Sequence, residues 1–335
     1  MTSSPWAGLE EVARRTDFSG VIRVDRAGAV EFERAFGLAD RAHGIVNAPD
    51  TRLAIASGSK GFTALAVMSL VEDGTLGLAT TARSILGPDL PLIDDRVTVE
   101  QLLSHRSGIG DYLDEEAGHD ITDHVMPVPV HRLATTEDYL VVLDGYPMAF
   151  EPEERFAYNN GGYVVLARLA ERASTTPFHD LVRRRVLDPA GMHRTAFLRS
   201  DELPGDAALG YLTADGSRTN VLHLPVLGSG DGGAYSTVAD LAAFWRALVE
   251  GRIVSRASLE AMVRPRSVEA DGSARYGLGV WLHAASDAVW LEGYDAGVSF
   301  RSVHDPVASI THTVIANTSE GAWPLTRLLD ELLGT

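Results

Sequence analysis

AIASGSKGFT, residues 54–63, places a serine three residues before a lysine at the start of a long apolar segment. The segment 62–71 is apolar on nearly every face, which is typical of a helix buried in a domain centre, and Gly74 supplies a left-handed C-terminal cap. If the first turn includes Ser57, the amine of Lys60 can reach its hydroxyl, because positions three apart share a helix face. A lysine buried beside a helix N-terminus is disfavoured as a cation and can accept a proton. The stretch therefore predicts that Ser57 is a nucleophile activated by Lys60.

The same spacing also arises by chance, as an N-capping serine followed by a surface lysine. Two further segments favour the catalytic interpretation: FAYNN at 156–160, which contains a Tyr-x-Asn element, and the turn LLSHRSG at 102–108. With them the sequence resembles the superfamily of serine beta-lactamases and penicillin-binding proteins, in the branch of class C beta-lactamases and their esterase and peptidase relatives. The resemblance runs from about residue 38 to residue 317. Four more segments occur in the family's order: GLAD at 37–40, GMHRT at 191–195, GGAYST at 232–237 and YGLG at 276–279.

Composition limits the class of protein. The 335 residues are 45% hydrophobic and 22% charged, which indicates a globular chain with a large core and two lobes. A formal net charge of -17 argues against a nucleic-acid partner, and the absence of cysteine excludes disulfides and thiolate chemistry. The N-terminus lacks the pattern of a signal peptide, and no apolar run is long enough to span a membrane. These features predict a cytoplasmic location, although secretion after processing stays open.

Strand patterns lie at both ends of the chain and helical patterns lie between them. Near the N-terminus, 20–24 and 30–36 form a predicted hairpin around the turn 25–28. Near the C-terminus, predicted strands at 276–282, 288–291, 298–303 and 309–315 are followed by a helix at 325–333. The fold class predicted is α+β of the beta-lactamase/transpeptidase type, an antiparallel sheet built from both termini, flanked by helices, with an inserted, mainly helical lobe. Residues 1–60 and 266–335 would form the sheet lobe, 61–265 the helical lobe, and the active site the seam.

The resemblance implies roles for individual residues. Ser57 would attack a carbonyl, while Lys60 and Tyr158 would share the general-base and general-acid work. Asn160 would point its amide at the substrate or hold Lys60. The oxyanion hole would combine the Ser57 N–H with an N–H from a strand of the terminal sheet. Without the resemblance, Tyr158 is a half-buried aromatic at a helix entry and Asn160 is a helix cap.

The third family motif departs from the pattern. Relatives carry Lys-Thr-Gly or His-x-Gly on that strand, whereas this chain reads WLEGYDAG at 290–297. Aligning Gly293 with the motif glycine puts Leu291 in the place of the cation, Glu292 next to it, and the second oxyanion donor at or near the N–H of Tyr294.

This departure bears on the substrate. Beta-lactams and D-alanyl-D-alanine ends present a carboxylate, which an acidic rim of Glu292 and Asp295, with Asp231 as a further candidate, would repel. Esters or amides that are neutral or carry an amine are therefore favoured. Arg301 or His304 on a neighbouring strand could instead supply the missing charge.

A group of histidine and aspartate residues is weaker evidence for a functional site. His119-Asp120, Asp123-His124 and His131 lie around a proline-containing loop without the regular spacing of metal ligands, so a solvated loop over the cleft is predicted and no metal. The sequence predicts a serine hydrolase that forms an acyl-enzyme on Ser57 with a small ester, amide or short peptide, without a cofactor. A beta-lactamase or D-alanyl-D-alanine carboxypeptidase is the alternative, and a non-catalytic acyl-binding protein is the alternative from another class.

Overall fold

The computed structural model describes residues 5–113, 120–269 and 272–334. Its largest sheet has eight strands in the order β2-β1-β13-β12-β11-β10-β9-β8, and every neighbouring pair is antiparallel. These strands are β1 (Gly20–Arg26), β2 (Ala29–Phe36), β8 (Ser267–Val268), β9 (Ala274–Tyr276), β10 (Trp281–His283), β11 (Val289–Asp295), β12 (Val298–Asp305) and β13 (Ile310–Ala316). Two small sheets pair β3 (Leu38–Asp40) with β4 (Ile45–Val46), and β7 (Ala234–Ser236) with both β5 (Leu53–Ala54) and β6 (Ala196–Phe197).

Helices occupy the middle of the chain and both faces of the large sheet. They are α1 (Ala7–Arg15), α2 (Lys60–Glu72), α3 (Ala82–Leu86), α4 (Val99–Leu103), α5 (Leu140–Leu143), α6 (Asn160–Ser174), α7 (Phe178–Val182), α8 (Asp188–Ala190), α9 (Val238–Val249), α10 (Arg256–Met262) and α11 (Trp323–Leu333). The predicted α+β class, with one antiparallel sheet assembled from the two ends of the chain, is confirmed.

Burial of apolar side chains explains why helices cover both faces of the large sheet. α2 is buried on nearly every face, as its sequence predicts, and it packs in the main core. α1 and α11 are amphipathic and cover the other face of the sheet, where Leu9 and Leu325 are buried against Ile22 and Val314. Strands β1 and β13 alternate their side chains between these two cores, with Val21 and Ile315 in one and Ile22 and Val314 in the other, so this part of the sheet is apolar on both faces.

Two helices that the lobe prediction assigns to the helical part lie directly on the sheet. In α2, Gly61 lies against the Leu291 side chain of β11, and in α9, Trp245 Nε1 donates to Ser302 Oγ of β12 at 2.9 Å. The predicted lobe boundaries at 60/61 and 265/266 stay a prediction, and residues from both predicted lobes, such as Phe62 and Leu291, lie in the same buried core.

The predicted strand 276–282 is a hairpin instead. The chain turns at Gly279, with a φ of 83°, and a Cβ there would lie 2.1 Å from Ala64 Cβ of α2. Only glycine permits both the left-handed backbone and this approach, so β9 and β10 fold back against α2. The N-terminal hairpin is longer than predicted, since β1 continues to Arg26 and the turn consists of Ala27 and Gly28, both with positive φ.

Among the described residues, no helix is both long and apolar enough to cross a bilayer. The cytoplasmic location stays a prediction.

Candidate active site

Ser57 lies in a single 3₁₀ turn, Ala56–Ser59, that precedes α2 rather than in the first turn of the helix itself. Ala56 opens the turn with a φ of 44°, a conformation that costs free energy in a non-glycine residue. Strand β7 fixes the turn, because Ser59 Oγ donates to the Ala56 carbonyl at 2.9 Å and accepts from the Ala234 N–H at 3.0 Å. Ser59 is 0% exposed, whereas Ser57 is half-buried at the floor of a cleft. Of these two serines, only Ser57 can therefore meet a substrate.

Three glycines let the sheet approach this turn closely. A Cβ on Gly293 of β11 would lie 2.1 Å from the Ile55 carbonyl oxygen, a backbone atom that cannot move independently. A Cβ on Gly58 would lie 2.3 Å from a ring atom of β12, and one on Gly61 2.5 Å from Leu291 Cδ2. The nucleophile turn therefore lies directly on the central strands, and glycine is required where they meet.

Lys60 is 2% exposed and directs its amine at Ser57. Its Nζ lies 2.8 Å from Ser57 Oγ, 2.7 Å from Asn160 Oδ1 and 2.7 Å from the Asp231 carbonyl oxygen. As an ammonium, Lys60 would donate one proton to each of these oxygens. As a neutral amine, it would donate its two hydrogens to the carbonyls of Asn160 and Asp231 and turn its lone pair to the Ser57 hydroxyl. The site thus accommodates both protonation states that a general base requires.

Tyr158 lies on the other side of the lysine. Lys60 Nζ is 4.8 Å from the centre of the Tyr158 ring, within the range of a cation–π contact. The ring packs between the His105 imidazole, at 4.5 Å, and the Trp281 indole, at 6.0 Å and nearly parallel. The structure therefore brings Ser57, Lys60 and Tyr158 together from three separate segments of the sequence.

Asn160 begins α6, but its side chain is not the helix cap. Asn159 is the cap, since its Oδ1 accepts the Gly162 N–H at 2.6 Å. Asn160 directs its Oδ1 to Lys60 and donates from Nδ2 to the Leu113 carbonyl at 3.1 Å. Of the two roles that the resemblance implies for Asn160, the geometry is that of holding Lys60.

Two carboxyl groups lie near the lysine, of which Asp231 is buried and Asp111 is half-buried. The sequence analysis did not consider Asp111, whose carboxylate accepts the N–H groups of Asn160 at 2.6 Å and Gly161 at 2.8 Å. Burial raises the pKa of Asp111 to about 7, against the effect of these hydrogen bonds and of the Lys60 charge. Burial also raises the pKa of Asp231, which accepts a short hydrogen bond from the Tyr112 hydroxyl. The only sequence signal for Asp111 is its place directly after the turn 102–108.

Residues 290–297, the stretch predicted to be the third motif, lie in β11 and the turn after it, and a leucine occupies the position that the predicted alignment gives to the cation. Leu291 is 2% exposed and packs on Gly61, so this position presents no polar group to the cleft. β10 pairs with β11 only at Val289 and Trp290, so the N–H and C=O groups farther along β11 are not all engaged by that strand. Tyr294 and Asp295 line the same cleft as Ser57.

The expectation that Glu292 lines the cleft is corrected. Strand side chains alternate between faces, so with Leu291 directed to α2, Glu292 points to the opposite face of the sheet. There it forms an ion pair with Arg301, which also binds Asp330 of α11 at 3.1 Å. These residues line a different cavity, together with Trp290.

Neither basic residue of β12 replaces the missing cation. Arg301 belongs to the ion-pair group with Glu292 on the far face. His304 stacks on Trp245 at 5.7 Å and bonds Thr311 Oγ1 at 2.9 Å.

The cleft above Ser57 has a volume of about 910 Å³ with open solvent included. Its walls are largely apolar and include Ile121, Met126, Leu198, Leu224, Val226 and Val298. Asp231 and Asp295 are its acidic lining residues, and its described lining contains neither lysine nor arginine.

The described part of the histidine-containing loop begins at Asp120, one of the residues considered as a metal ligand. Asp120 instead caps the turn Ile121–Asp123, with Oδ1 accepting the Thr122 N–H at 2.8 Å, and His124 lines the cleft. In the parts of the chain that the structure describes, no group of side chains could hold a metal ion. His119 lies outside the described residues.

Comparisons with known proteins agree with the resemblance. The family model described as Beta-lactamase matches residues 10–333. A penicillin-binding protein from Bacillus halodurans, known from its crystal structure, is 35% identical and superimposes with a TM-score of 0.90 over 97% of this chain and 99% of that one. Penicillin-binding protein 4* of Bacillus subtilis (strain 168) is 30% identical over 289 residues, 82% of this chain and 61% of the relative. Esterase EstB of Burkholderia gladioli is 32% identical over 211 residues, 58% of this chain and 51% of the relative. The chain thus spans between half and two thirds of the length of these two curated relatives.

Proposed function

The chain belongs to the beta-lactamase family, and we propose that it is a serine hydrolase that cleaves small esters or amides through an acyl-enzyme on Ser57. One observation carries the proposal: the Lys60 amine lies 2.8 Å from the Ser57 hydroxyl, with Asn160 and the Asp231 carbonyl accepting its other hydrogens. A surface lysine beside an N-capping serine would have none of these buried partners.

In the reaction that this geometry supports, Ser57 Oγ bonds to the substrate carbonyl carbon while its proton passes to the Lys60 and Tyr158 pair. The N–H of Ser57 and an N–H of β11 near Tyr294 stabilise the negative charge that develops on the carbonyl oxygen. The tetrahedral intermediate breaks when the bond to the leaving group cleaves and the same pair returns the proton to that group. A water molecule then repeats the sequence on the acyl-enzyme, which releases the acid and restores the Ser57 hydroxyl.

The cleft favours substrates without a carboxylate near the scissile bond. Its described lining offers no arginine or lysine, and Lys60, beneath Ser57, already has three acceptors. Asp295 lies in the wall of the cleft, where its negative charge would repel a carboxylate on the substrate. At an effective dielectric of about 20, two like charges 4 Å apart repel each other by roughly 4 kcal/mol. The proposal is therefore a preference for neutral or amine-bearing esters and amides. Beta-lactam hydrolysis and D-alanyl-D-alanine cleavage, the second candidate activity, would need a carboxylate partner in this cleft.

The experiment combines a fluorophosphonate probe, a short-chain p-nitrophenyl ester and mass spectrometry of the labelled peptide. Ser57→Ala should abolish labelling and lower ester turnover by several orders of magnitude without unfolding the protein. Ser59→Ala is the matched control. It should keep the label on Ser57 and cost only about 1–3 kcal/mol of stability, from the lost buried hydrogen bonds. Turnover that survives in Ser57→Ala would overturn the assignment.

The substrate preference is tested separately with matched amine, neutral and carboxylate esters and with benzylpenicillin. We expect kcat/KM to fall in that order for the ester series, and Asp295→Asn to reduce the advantage of the amine. Efficient hydrolysis of benzylpenicillin, or a preference for the carboxylate ester, would contradict the proposed substrate class while leaving the Ser57 mechanism intact.

A further inference from the structure

We propose that His105 is a positioning residue that fixes Tyr158 against Lys60. The inference rests on the proposed function, since it concerns how the proton-transfer pair is held. His105 lies in the turn directly after α4, far in sequence from both members of the pair.

The first observation is that one residue holds the chain on both sides of Tyr158. The His105 backbone carbonyl accepts the Ala157 N–H at 3.0 Å, and its ring Nδ1 accepts the Asn159 N–H at 3.0 Å. Residues 157 and 159 are thereby tied to the same short turn. The backbone of Tyr158 between them has little freedom to shift along or rotate away from α2.

The second observation is the packing of the imidazole. The ring is 1% exposed and lies 4.5 Å from the Tyr158 ring, 4.9 Å from Tyr163 and 4.8 Å from Tyr276. Tyr163 is itself anchored, because its hydroxyl donates to the Leu103 carbonyl at 2.8 Å. The Tyr158 ring therefore packs on the His105 ring, which is itself held by the anchored Tyr163, and the Trp281 indole packs on its other side.

The chemistry of the ring suits this task. Burial lowers the pKa of His105 well below its ordinary value, and the charge of Lys60 lowers it further. The imidazole is neutral at working pH, and because Nδ1 accepts a backbone N–H, the ring proton is on Nε2. A protonated ring could not accept this bond at all.

The backbone gives a third observation. His105 has a φ of 55°, in the left-handed region that few side chains other than glycine, asparagine, aspartate and histidine tolerate. This conformation directs the carbonyl and the ring of one residue to Ala157 and Asn159 at the same time. Strain kept at such a position is typical of residues that the surrounding structure requires in one geometry.

Catalysis by the Lys60 and Tyr158 pair depends on the distance between these two residues. Lys60 comes from α2 and Tyr158 from the segment just before α6, and the 4.8 Å between Lys60 Nζ and the centre of the Tyr158 ring depends on how that segment is held. A displacement of about 1 Å in a reacting group can cost on the order of 100-fold in rate. Loosening the 157–159 segment should therefore slow the chemical steps more than it weakens substrate binding.

The test compares two substitutions at the same position. His105→Phe keeps an aromatic ring but removes the Nδ1 acceptor, whereas His105→Asn places its Oδ1 near the position of Nδ1 and tolerates the left-handed backbone. For the p-nitrophenyl ester, we expect His105→Phe to lower kcat by ten- to a hundredfold with KM within about threefold of the parent. His105→Asn keeps the acceptor but loses the packing of the ring, so it should recover part of that loss. If His105→Phe does not fold, His105→Gln replaces it, because its longer side chain cannot put an acceptor at the same place.

A double-mutant cycle separates positioning from a general structural role. When His105→Phe, or His105→Gln in its place, is added to Tyr158→Phe, kcat should fall by less than a further threefold. The reason is that a residue that acts by positioning the Tyr158 hydroxyl has no effect once that hydroxyl is removed. Multiplicative losses in the double variant, or His105→Asn being no better than His105→Phe, would overturn the inference and leave the proposed function standing. If the parent shows neither ester turnover nor fluorophosphonate labelling, the proposed function fails and this inference fails with it.

Discussion

Gly293→Ala tests whether the close approach of β11 to the nucleophile turn is needed for catalysis. The new Cβ would lie 2.1 Å from the Ile55 carbonyl oxygen and 3.0 Å from the Gly58 nitrogen. Since an ordinary carbon–oxygen contact is about 3.3 Å or longer, β11 and the turn would have to separate by roughly 1 Å. Both clashing atoms belong to the backbone, so no side-chain rotation relieves the contact. The strand that is proposed to supply the second oxyanion donor would move away from Ser57.

A displacement of that size should lower kcat/KM for a p-nitrophenyl ester by about 100-fold, while overpacking should cost about 1–3 kcal/mol of stability. The assay is steady-state hydrolysis together with the rate of fluorophosphonate labelling of Ser57, at a temperature where the variant is folded. Gly205→Ala is the control, because a Cβ there meets no atom within 4 Å. A folded Gly293→Ala protein that keeps kcat/KM within threefold of the parent would refute the argument that β11 must touch this turn.

Three further predictions follow from the charges around the site. Lys60→Ala and Tyr158→Phe should each remove most ester turnover and together remove little more, because the two groups act as one proton-transfer unit; independent, multiplicative losses would argue against a shared role. Glu292→Lys should leave the ranking of amine, neutral and carboxylate esters unchanged, since Glu292 faces Arg301 and another cavity; a reversed ranking would show that it reaches the substrate. Asp111 has a folded pKa of about 7, above its ordinary 3.8, so the folded state binds its proton more tightly. Its contribution to stability should thus be most favourable below about pH 4 and should decline as the pH rises towards 7. The thermal midpoint of the parent relative to Asp111→Asn should fall through that window, and a constant difference would contradict the shift.

Local patterns were sufficient for the fold class and for the close spacing of Ser57 and Lys60, whereas the roles of Tyr158 and Asn160 came from the family resemblance. The alternation of apolar residues at both ends of the chain predicts strands, and the uninterrupted apolar segment after Lys60 predicts a buried helix. The Ser-x-x-Lys spacing puts Ser57 and Lys60 within reach of each other whether the turn is 3₁₀ or α. These features depend only on neighbours in sequence, which is why they could be predicted without tertiary contacts.

Some details were in the sequence but needed a rule to extract them. Glu292 lies between Leu291 and Gly293, and a strand that directs both of these residues to the nucleophile turn must direct Glu292 away from it. The negative charge of Glu292 suggested that it contacts the substrate. The alternation of side chains along β11 determines instead that Glu292 points to the face of the sheet away from the nucleophile turn.

Tertiary structure alone decided the rest of the site. Asn159 and Asn160 are chemically identical neighbours, and only the approach of α2 makes one a helix cap and the other a partner of Lys60. Asp111 and His105 gain their roles from turns that meet the start of α6, a contact between segments about 50 residues apart. The sequence by itself determined most of the strands, the buried helix and the close spacing of Ser57 and Lys60. Which groups surround them depends on how separate elements pack, because burial and hydrogen-bond partners are properties of long-range contacts and not of local spacing.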